Sequence, residues 1–251
     1  MIALWYATRG TGLVSLLFLT AVVTLGMLMA ARAGGRSLPR FVLAGLHRNL
    51  TLAGLGFLAV HILTAVADTY APITLLDIVV PFASAYRPIW LGMGTFAFDI
   101  LLVLTTTSLL RTRLGLRWWR ILHWTAYACW PLLVVHALGT GTDVRTSVFL
   151  MIIGACGAAV VVAGGRRLFA GEPGSRARRA GAAVLAFAAA GVIAVWSLQG
   201  PLAPGWAARS GTPTVRNGPT ATGSAPSVRP SAPTHTPTGD DGAENGEEGG
   251  G

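Results

Sequence analysis

The chain has few charged residues, no lysine and only two cysteines. Charged residues make up 12% of its 251 positions, whereas a soluble domain carries about 25%. Hydrophobic residues account for 53% of the chain, and the mean hydropathy is +0.59. This composition excludes an ordinary soluble domain and indicates an integral membrane protein.

The two cysteines exclude an iron–sulfur centre, because such clusters are held by about four thiolate ligands. Cys129 and Cys156 lie in different hydrophobic segments and form no CxxC pattern. We interpret both as small buried apolar side chains.

The net charge of +9 does not indicate nucleic-acid binding. The basic residues are all arginine, and most of them lie in short segments between apolar runs. No basic stripe with interleaved aromatic residues occurs outside the apolar runs, so no nucleic-acid partner is expected.

Apolar runs of about 18–25 residues predict membrane-spanning helices. Six such runs occur in the chain, at residues 12–31, 43–66, 89–110, 120–138, 147–165 and 180–198. We therefore predict an all-α, polytopic membrane helix bundle with about six transmembrane helices. The first run could instead be a signal peptide, since Ala31-Arg32-Ala33 is similar to a cleavage site, but its apolar stretch is long for one.

Arginine is unevenly distributed among the connecting segments. Several arginines lie in each of residues 32–40, 111–120 and 166–179, whereas residues 67–88 and 139–146 contain one arginine each. The positive-inside rule places the three basic segments in the cytoplasm. Both chain ends then lie outside the cell, in a multi-pass protein of the plasma membrane.

The composition changes from about residue 201. Residues 201–251 are rich in proline, serine, threonine and glycine and end in an acidic run. Such a segment has too little apolar surface to fold. It is predicted to be a disordered extracytoplasmic tail.

Four histidines lie inside the apolar runs. His47 and His61 belong to the second run, and His123 and His136 to the fourth. Metal-binding side chains are costly in a bilayer and usually mark function there. At about 1.5 Å per residue, the two members of each pair lie about 20 Å apart along their helix. Each helix can therefore offer one ligand near each membrane face.

The predicted topology makes these two helices run in the same direction. His47 then shares the cytoplasmic level with His123, and His61 shares the outer level with His136. A single buried histidine is usually a hydrogen-bonded core residue, but two matched pairs predict two haems, one at each level. Zinc is less suitable, because it takes about four ligands and each level offers two.

The second pair needs a local distortion of its helix. Fourteen positions at about 100° per residue return to within about 40° of the starting direction, whereas thirteen miss it by about 140°. Pro131 lies between His123 and His136. Proline removes a backbone donor and kinks a helix, so we expect the distortion there.

Arginines near the histidines are candidate partners for haem propionates. Arg48 follows His47, and Arg120 precedes His123 by three positions. Either guanidinium could pair with a carboxylate, or could simply anchor the cytoplasmic side. Arg9 could act in the same way at the outer haem.

Three glycines flank or separate the histidines of the second run, namely Gly45, Gly54 and Gly56. They would let a flat macrocycle approach the backbone, or let two helices pack closely. The sequence leaves both interpretations open.

The segments around the histidines resemble the ferric reductase-like transmembrane domain family. The resemblance is carried by LHRN…VHIL, by WWRILHWTAY…VVHAL and by the opening WYATRGTGLVSLLFLT. Members include ferric reductases, the haem core of NADPH oxidases and the haem-binding membrane subunit of bacterial methionine sulfoxide repair. The resemblance assigns residues 1–170 to this haem-binding domain, and leaves residues 171–200 as an additional transmembrane helix.

The resemblance implies electron transfer from an inner haem, on His47 and His123, to an outer haem, on His61 and His136. The sequence has no FAD- or NADPH-binding domain after the membrane part, since no GxGxxG follows a strand. The electron donor is then a separate protein, a quinol or a flavin, and the acceptor is open. We predict a membrane haem subunit of an oxidoreductase, with lipid and a flavoprotein or reductase subunit as partners. The alternative is a non-redox haem or metal transporter, or a membrane anchor.

Overall fold

The computed structural model describes residues 2–31, 39–69, 71–169 and 176–211. These residues belong to one compact unit that extends to Thr214. Within the described ranges the secondary structure is helical and contains no strand. The tail predicted to be disordered lies outside the described residues from 212 onward.

Ten helices occur in the described part of the chain. In order they are α1 (Ile2–Ala30), α2 (Arg40–Ala67), α3 (Leu75–Val79), α4 (Pro88–Leu109), α5 (Arg111–Leu114), α6 (Leu116–His123), α7 (Ala126–Thr140), α8 (Ser147–Phe169), α9 (Arg176–Gln199) and α10 (Trp206–Arg209). Five spans are long and apolar enough to cross a membrane: α1, α2, α4, α6 with α7, and α8. The predicted all-α membrane bundle is confirmed.

The sixth predicted span forms α9, which is not one of those five. Its apolar part among the described residues, Ala190–Gln199, is shorter than a membrane crossing. The Trp196 ring packs on the Trp90 ring at the start of α4, with centroids 4.9 Å apart. The end of α9 therefore lies at the same end of the bundle as the start of α4.

The long helices direct many large apolar side chains outward. Leu109 is 80% exposed, Phe41 77% and Leu63 67%. Such surfaces are unfavourable in water but match the apolar interior of a bilayer. The buried core is correspondingly small, and one cluster of it consists of Leu19, Leu58, Ala97, Leu101, Leu104 and Cys129.

Helix α1 lies at the centre of the packing. It packs against α2, α7 and α8, while α4 packs mainly against α7. Among the described helices, α2 and α7 do not pack extensively on each other, and the histidines lie on these two helices and on α6.

The span that contains His123 and His136 is distorted between them. Helix α6 ends at His123 and α7 begins at Ala126. In the intervening turn, backbone N–H groups donate three residues back, from Thr125 to Leu122 at 3.0 Å, from Tyr127 to Trp124 at 3.1 Å and from Ala128 to Thr125 at 3.0 Å. The predicted distortion is present.

The tightened turn offsets part of the angle that a straight helix misses between His123 and His136. Hydrogen bonds to the third residue back wind the chain by about 120° per residue instead of about 100°, which is the direction that a spacing of thirteen requires. Pro131 lies six positions after Thr125, inside α7, and donates no hydrogen bond to the carbonyl four residues earlier.

The chain stays ordered beyond residue 201, where the composition predicts the start of the tail. Pro201 is fully buried, and Ser210 is 6% exposed. The short helix α10 places Trp206 against Trp90, with ring centroids 5.1 Å apart. Residues 201–211 have enough apolar surface to pack, but the polar average composition of residues 201–251 does not show this.

Candidate cofactor-binding site

The four histidines occupy two levels of the bundle. The rings of His61 and His136 lie side by side in an edge arrangement, with centroids 6.4 Å apart and planes at 83°. The side chains of His47 and His123 lie close enough to interact electrostatically. We refer to these as the 61/136 level and the 47/123 level. They bring together the same pairs that the topology argument predicts.

At the 61/136 level each imidazole is held by a backbone carbonyl. His61 Nδ1 lies 2.8 Å from the Thr8 carbonyl oxygen, and His136 Nδ1 lies 3.0 Å from the Trp90 carbonyl oxygen. A carbonyl only accepts, so Nδ1 of both rings must carry the hydrogen. The lone pair of each Nε2 is then available to a metal, as in most metal-binding histidines.

Glycines lie against both of these rings. A Cβ built on Gly12 would be 2.8 Å from Cε1 and Nδ1 of His61, and one built on Gly94 would overlap the ring of His136. Real Cβ atoms do not approach so closely, so only glycine leaves room for these ring positions. Helices α1 and α4 therefore each provide a flat surface against which one imidazole lies.

A cavity of about 710 Å³ opens beside these two histidines. It is mostly apolar and is bordered by α1, α2, α4, α7 and α8. Binding sites for large organic cofactors are concave and mostly apolar, with a few convergent polar groups, and measure about 300–1,000 Å³. The cavity meets these requirements.

Arg9 provides a cation in the wall of this cavity. Its Nη2 donates to Thr142 Oγ1 at 2.7 Å, and its guanidinium lies over the Trp5 ring at 5.6 Å. Both contacts fix the guanidinium near the 61/136 level. It is placed where the sequence suggested a partner for a carboxylate of the bound group.

The 47/123 level is built differently. His47 Nδ1 and His123 Nδ1 are buried without a hydrogen-bond partner. The Val22 backbone approaches the His47 ring, but not with hydrogen-bond geometry at Nδ1. A Cβ on Gly26 would lie 3.5 Å from His47 Cε1, which is an ordinary contact. Buried polar atoms without partners are rare and usually have a functional explanation.

An indole covers one face of His123. The Trp119 ring stacks on the imidazole with centroids 4.8 Å apart and planes at 25°. Trp119 Nε1 donates to Ser108 Oγ at 3.3 Å, which ties the indole to α4. Trp119 therefore orients a candidate ligand, a contact that the sequence analysis did not identify.

The two arginines proposed as propionate partners at this level are both exposed. Arg48 follows His47 on α2, and Arg120 lies on α6 one turn before His123. Their exposure fits anchoring at the membrane surface as well as contact with a carboxylate at the edge of a bound group.

The glycines of α2 are not those that contact the histidines. A Cβ on Gly54 would lie 3.1 Å from Phe18 Cβ, whereas those on Gly45 and Gly56 would meet nothing within 4 Å. Gly54 therefore serves close packing of α2 on α1. The contacts come instead from Gly12 and Gly26 of α1, whose separation of fourteen residues equals that of His47 and His61. The equal spacing of these two glycines and of the two histidines is the sequence feature that could have predicted these contacts.

The separation of the His61 and His136 rings fits one metal atom between them. Two metal–nitrogen bonds of about 2 Å, plus about 1.1 Å from each nitrogen to its ring centre, give about 6.2 Å. The observed centroid distance is 6.4 Å. The described residues contain no group of three or more histidine, cysteine or acidic side chains suited to a metal ion. His61 and His136 therefore fit a metal whose remaining ligands belong to a bound cofactor.

No protein-family model, curated protein or solved structure matches this chain. The resemblance to ferric reductase-like domains therefore depends on the residues quoted above.

Proposed function

We propose that this protein transfers electrons across the plasma membrane by means of two b-type haems. His61 and His136 would hold the outer haem, and His47 and His123 the inner one. The donor would be on the side of the basic loops, and the acceptor on the opposite side. The protein would thus be the membrane subunit of a ferric reductase-like oxidoreductase.

The observation that carries this proposal is the geometry of the 61/136 level. Two imidazoles, each with Nδ1 on a backbone carbonyl, lie at the ring separation required for one metal between them. Each ring is oriented by a backbone carbonyl and lies against a glycine. A haem brings four nitrogen ligands of its own, so two histidines would be enough to hold it.

Each residue of the site has a separate task. His61 and His136 would hold the metal of the bound group, and the carbonyls of Thr8 and Trp90 fix the tautomer and orientation of the rings. Arg9 would pair with a carboxylate of the bound group. A haem with two imidazole ligands supplies one-electron chemistry without an open position for substrate.

The donor and acceptor of the electrons would be other molecules. A flavoprotein, a reductase subunit or a quinol are the donor classes that the sequence allows. The acceptor would be iron, oxygen or a protein outside the membrane. Exposed arginines in α5 and α6, which include Arg111, Arg113 and Arg117, lie on the proposed donor side.

Haem content is the direct test. The full chain, purified in detergent or nanodiscs from cells supplied with haem precursor, is expected to bind about two haems per chain, as set by two bis-imidazole sites. Pyridine haemochromogen analysis counts the haem, and a dithionite-reduced spectrum shows its b type. A well-folded but colourless protein would instead favour a transporter or an anchor and would rule out the proposed function.

The proposed orientation can be tested with single cysteines. Cys129 and Cys156 are both buried, so they give a low background with a membrane-impermeant maleimide. Ala83, in the loop after α3, and Arg113, in the short helix α5, are exposed at opposite ends of the bundle. On intact cells Ala83→Cys is expected to be labelled, and Arg113→Cys only after permeabilisation. The reverse pattern would invert the proposed direction of electron flow.

A further inference from the structure

The last turn of α9 and the residues that follow it pack on the start of α4 and the end of α7. We call residues 196–211 the C-terminal strap. The rings of Trp196 and Trp206 pack on Trp90 with centroids 4.9 and 5.1 Å away. Trp206 Nε1 also donates to the Gly139 carbonyl oxygen at 3.1 Å. The strap therefore connects α4 to α7 through one aromatic cluster and one hydrogen bond.

Arg87, the residue before α4, contacts both the strap and α7. It is 2% exposed, and its Nη1 donates to the Gly139 carbonyl oxygen at 2.9 Å. Its backbone N–H donates to the Gly211 carbonyl oxygen at 3.1 Å. Its φ of 44° is in the left-handed region, which is unfavourable for arginine and persists only where surrounding contacts enforce it.

These contacts converge on the elements that hold His136. The Trp90 carbonyl accepts the His136 hydrogen bond, and Gly139 lies three residues after His136 on α7. A Cβ on Gly139 would be only 2.7 Å from the Trp90 side chain, so the two helices are in close contact here. His61 instead takes its acceptor, Thr8, from α1.

We propose that Trp206 is a positioning residue for the outer haem ligand. It clamps Trp90 against Gly139, and thereby fixes the Trp90 carbonyl and the plane of the His136 ring. The inference rests on the proposed function, since it assigns to His136 a metal at Nε2. A hydrogen bond at Nδ1 strengthens an imidazole as a ligand, which favours the ferric state and lowers the reduction potential.

The test compares variants of the full-length, haem-loaded protein in nanodiscs. Trp206→Ala removes ring and donor, Trp206→Phe removes only the donor, and Leu198→Ala changes an exposed side chain of α9 that is 67% accessible. Trp206→Ala is expected to shift the reduction equilibrium of one haem about tenfold toward the ferrous form, about 59 mV for a one-electron couple. Trp206→Phe should shift it less, in the same direction, and Leu198→Ala not at all.

The second haem is the internal control. Its potential should stay unchanged in every variant, because the strap contacts described above lie at the 61/136 level. The low-spin ferric EPR signal of the shifted haem should also change, since its largest g value depends on the angle between the two imidazole planes, 83° here.

The outcomes separate this inference from the proposed function. Wild-type protein without haem contradicts the proposed function. Two haems with unchanged potentials and EPR signals in both Trp206 variants would overturn the inference alone. Trp206→Phe retains the aromatic packing. If it shifted the potentials of both haems equally, or reduced the content of both haems equally, Trp206 would have a general stabilising role and the inference would also be overturned.

Discussion

Replacing His61 by alanine is expected to remove one of the two haems and leave the other. The 61/136 level offers two protein ligands, so losing one deprives the metal of an axial bond while the 47/123 level stays intact. His136→Ala should give the same result. Haem per chain is expected to fall by about half, as one of two bis-histidine sites is lost.

A matched control separates ligand loss from damage to the helix. Val60 precedes His61 on α2 and is 45% exposed, so Val60→Ala should keep both haems. Added imidazole should restore binding in His61→Ala, because it can occupy the space of the missing ring. Retention of both haems in His61→Ala, with an unchanged spectrum, would contradict the assignment of His61.

Double variants test the pairing itself. His61→Ala with His136→Ala removes two ligands of one level, so it should lose no more haem than either single change. His61→Ala with His123→Ala disturbs both levels and should leave almost no haem. Non-additivity within a level and additivity between levels is the signature of two independent sites. The opposite pattern would show that the pairs are crossed.

Replacing Gly94 by alanine is expected to have nearly as large an effect as removing His136. The added methyl group would overlap the His136 ring, so the imidazole must leave its position against α4 and lose the Trp90 carbonyl. Gly12→Ala should displace His61 similarly, because its Cβ would lie 2.8 Å from the ring. Each change should weaken binding at the outer level at least about tenfold, or about 1.4 kcal/mol.

A change from glycine to alanine stabilises the helix itself, so its effect on helix stability is opposite to the expected loss of haem. Alanine stabilises a helix by about 1 kcal/mol relative to glycine. Loss of haem in Gly12→Ala therefore cannot be attributed to a weakened helix α1. Titration of apoprotein with haemin, with retention of the second haem as the internal reference, measures the effect.

Two other glycines of α1 are natural controls. A Cβ on Gly10 would meet nothing within 4 Å, and one on Gly26 would make only a 3.5 Å contact with His47 Cε1. Gly10→Ala and Gly26→Ala should therefore bind both haems. Equal behaviour of Gly12→Ala and Gly10→Ala would show that the His61 ring does not need its observed position.

Much of the architecture could be predicted from the sequence because its signals are local. An apolar run long enough to cross a bilayer is visible in composition alone, and all five long spans were found in this way. The sixth run is a helix, but composition did not reveal that its last turns and residues 201–211 pack on Trp90. That packing depends on Trp196 and Trp206 meeting a partner more than a hundred positions earlier in the chain.

The sequence by itself determined which side chains could bind a metal and which of them share a level. Four histidines in two apolar runs, with two helices that run in the same direction, are sufficient for that. Only the tertiary structure decided what holds the rings: the carbonyls of Thr8 and Trp90, the surfaces of Gly12 and Gly94, and the stacked Trp119. The physical reason is that every residue carries the same backbone carbonyl, so an acceptor leaves no mark in the sequence until the fold brings a donor to it.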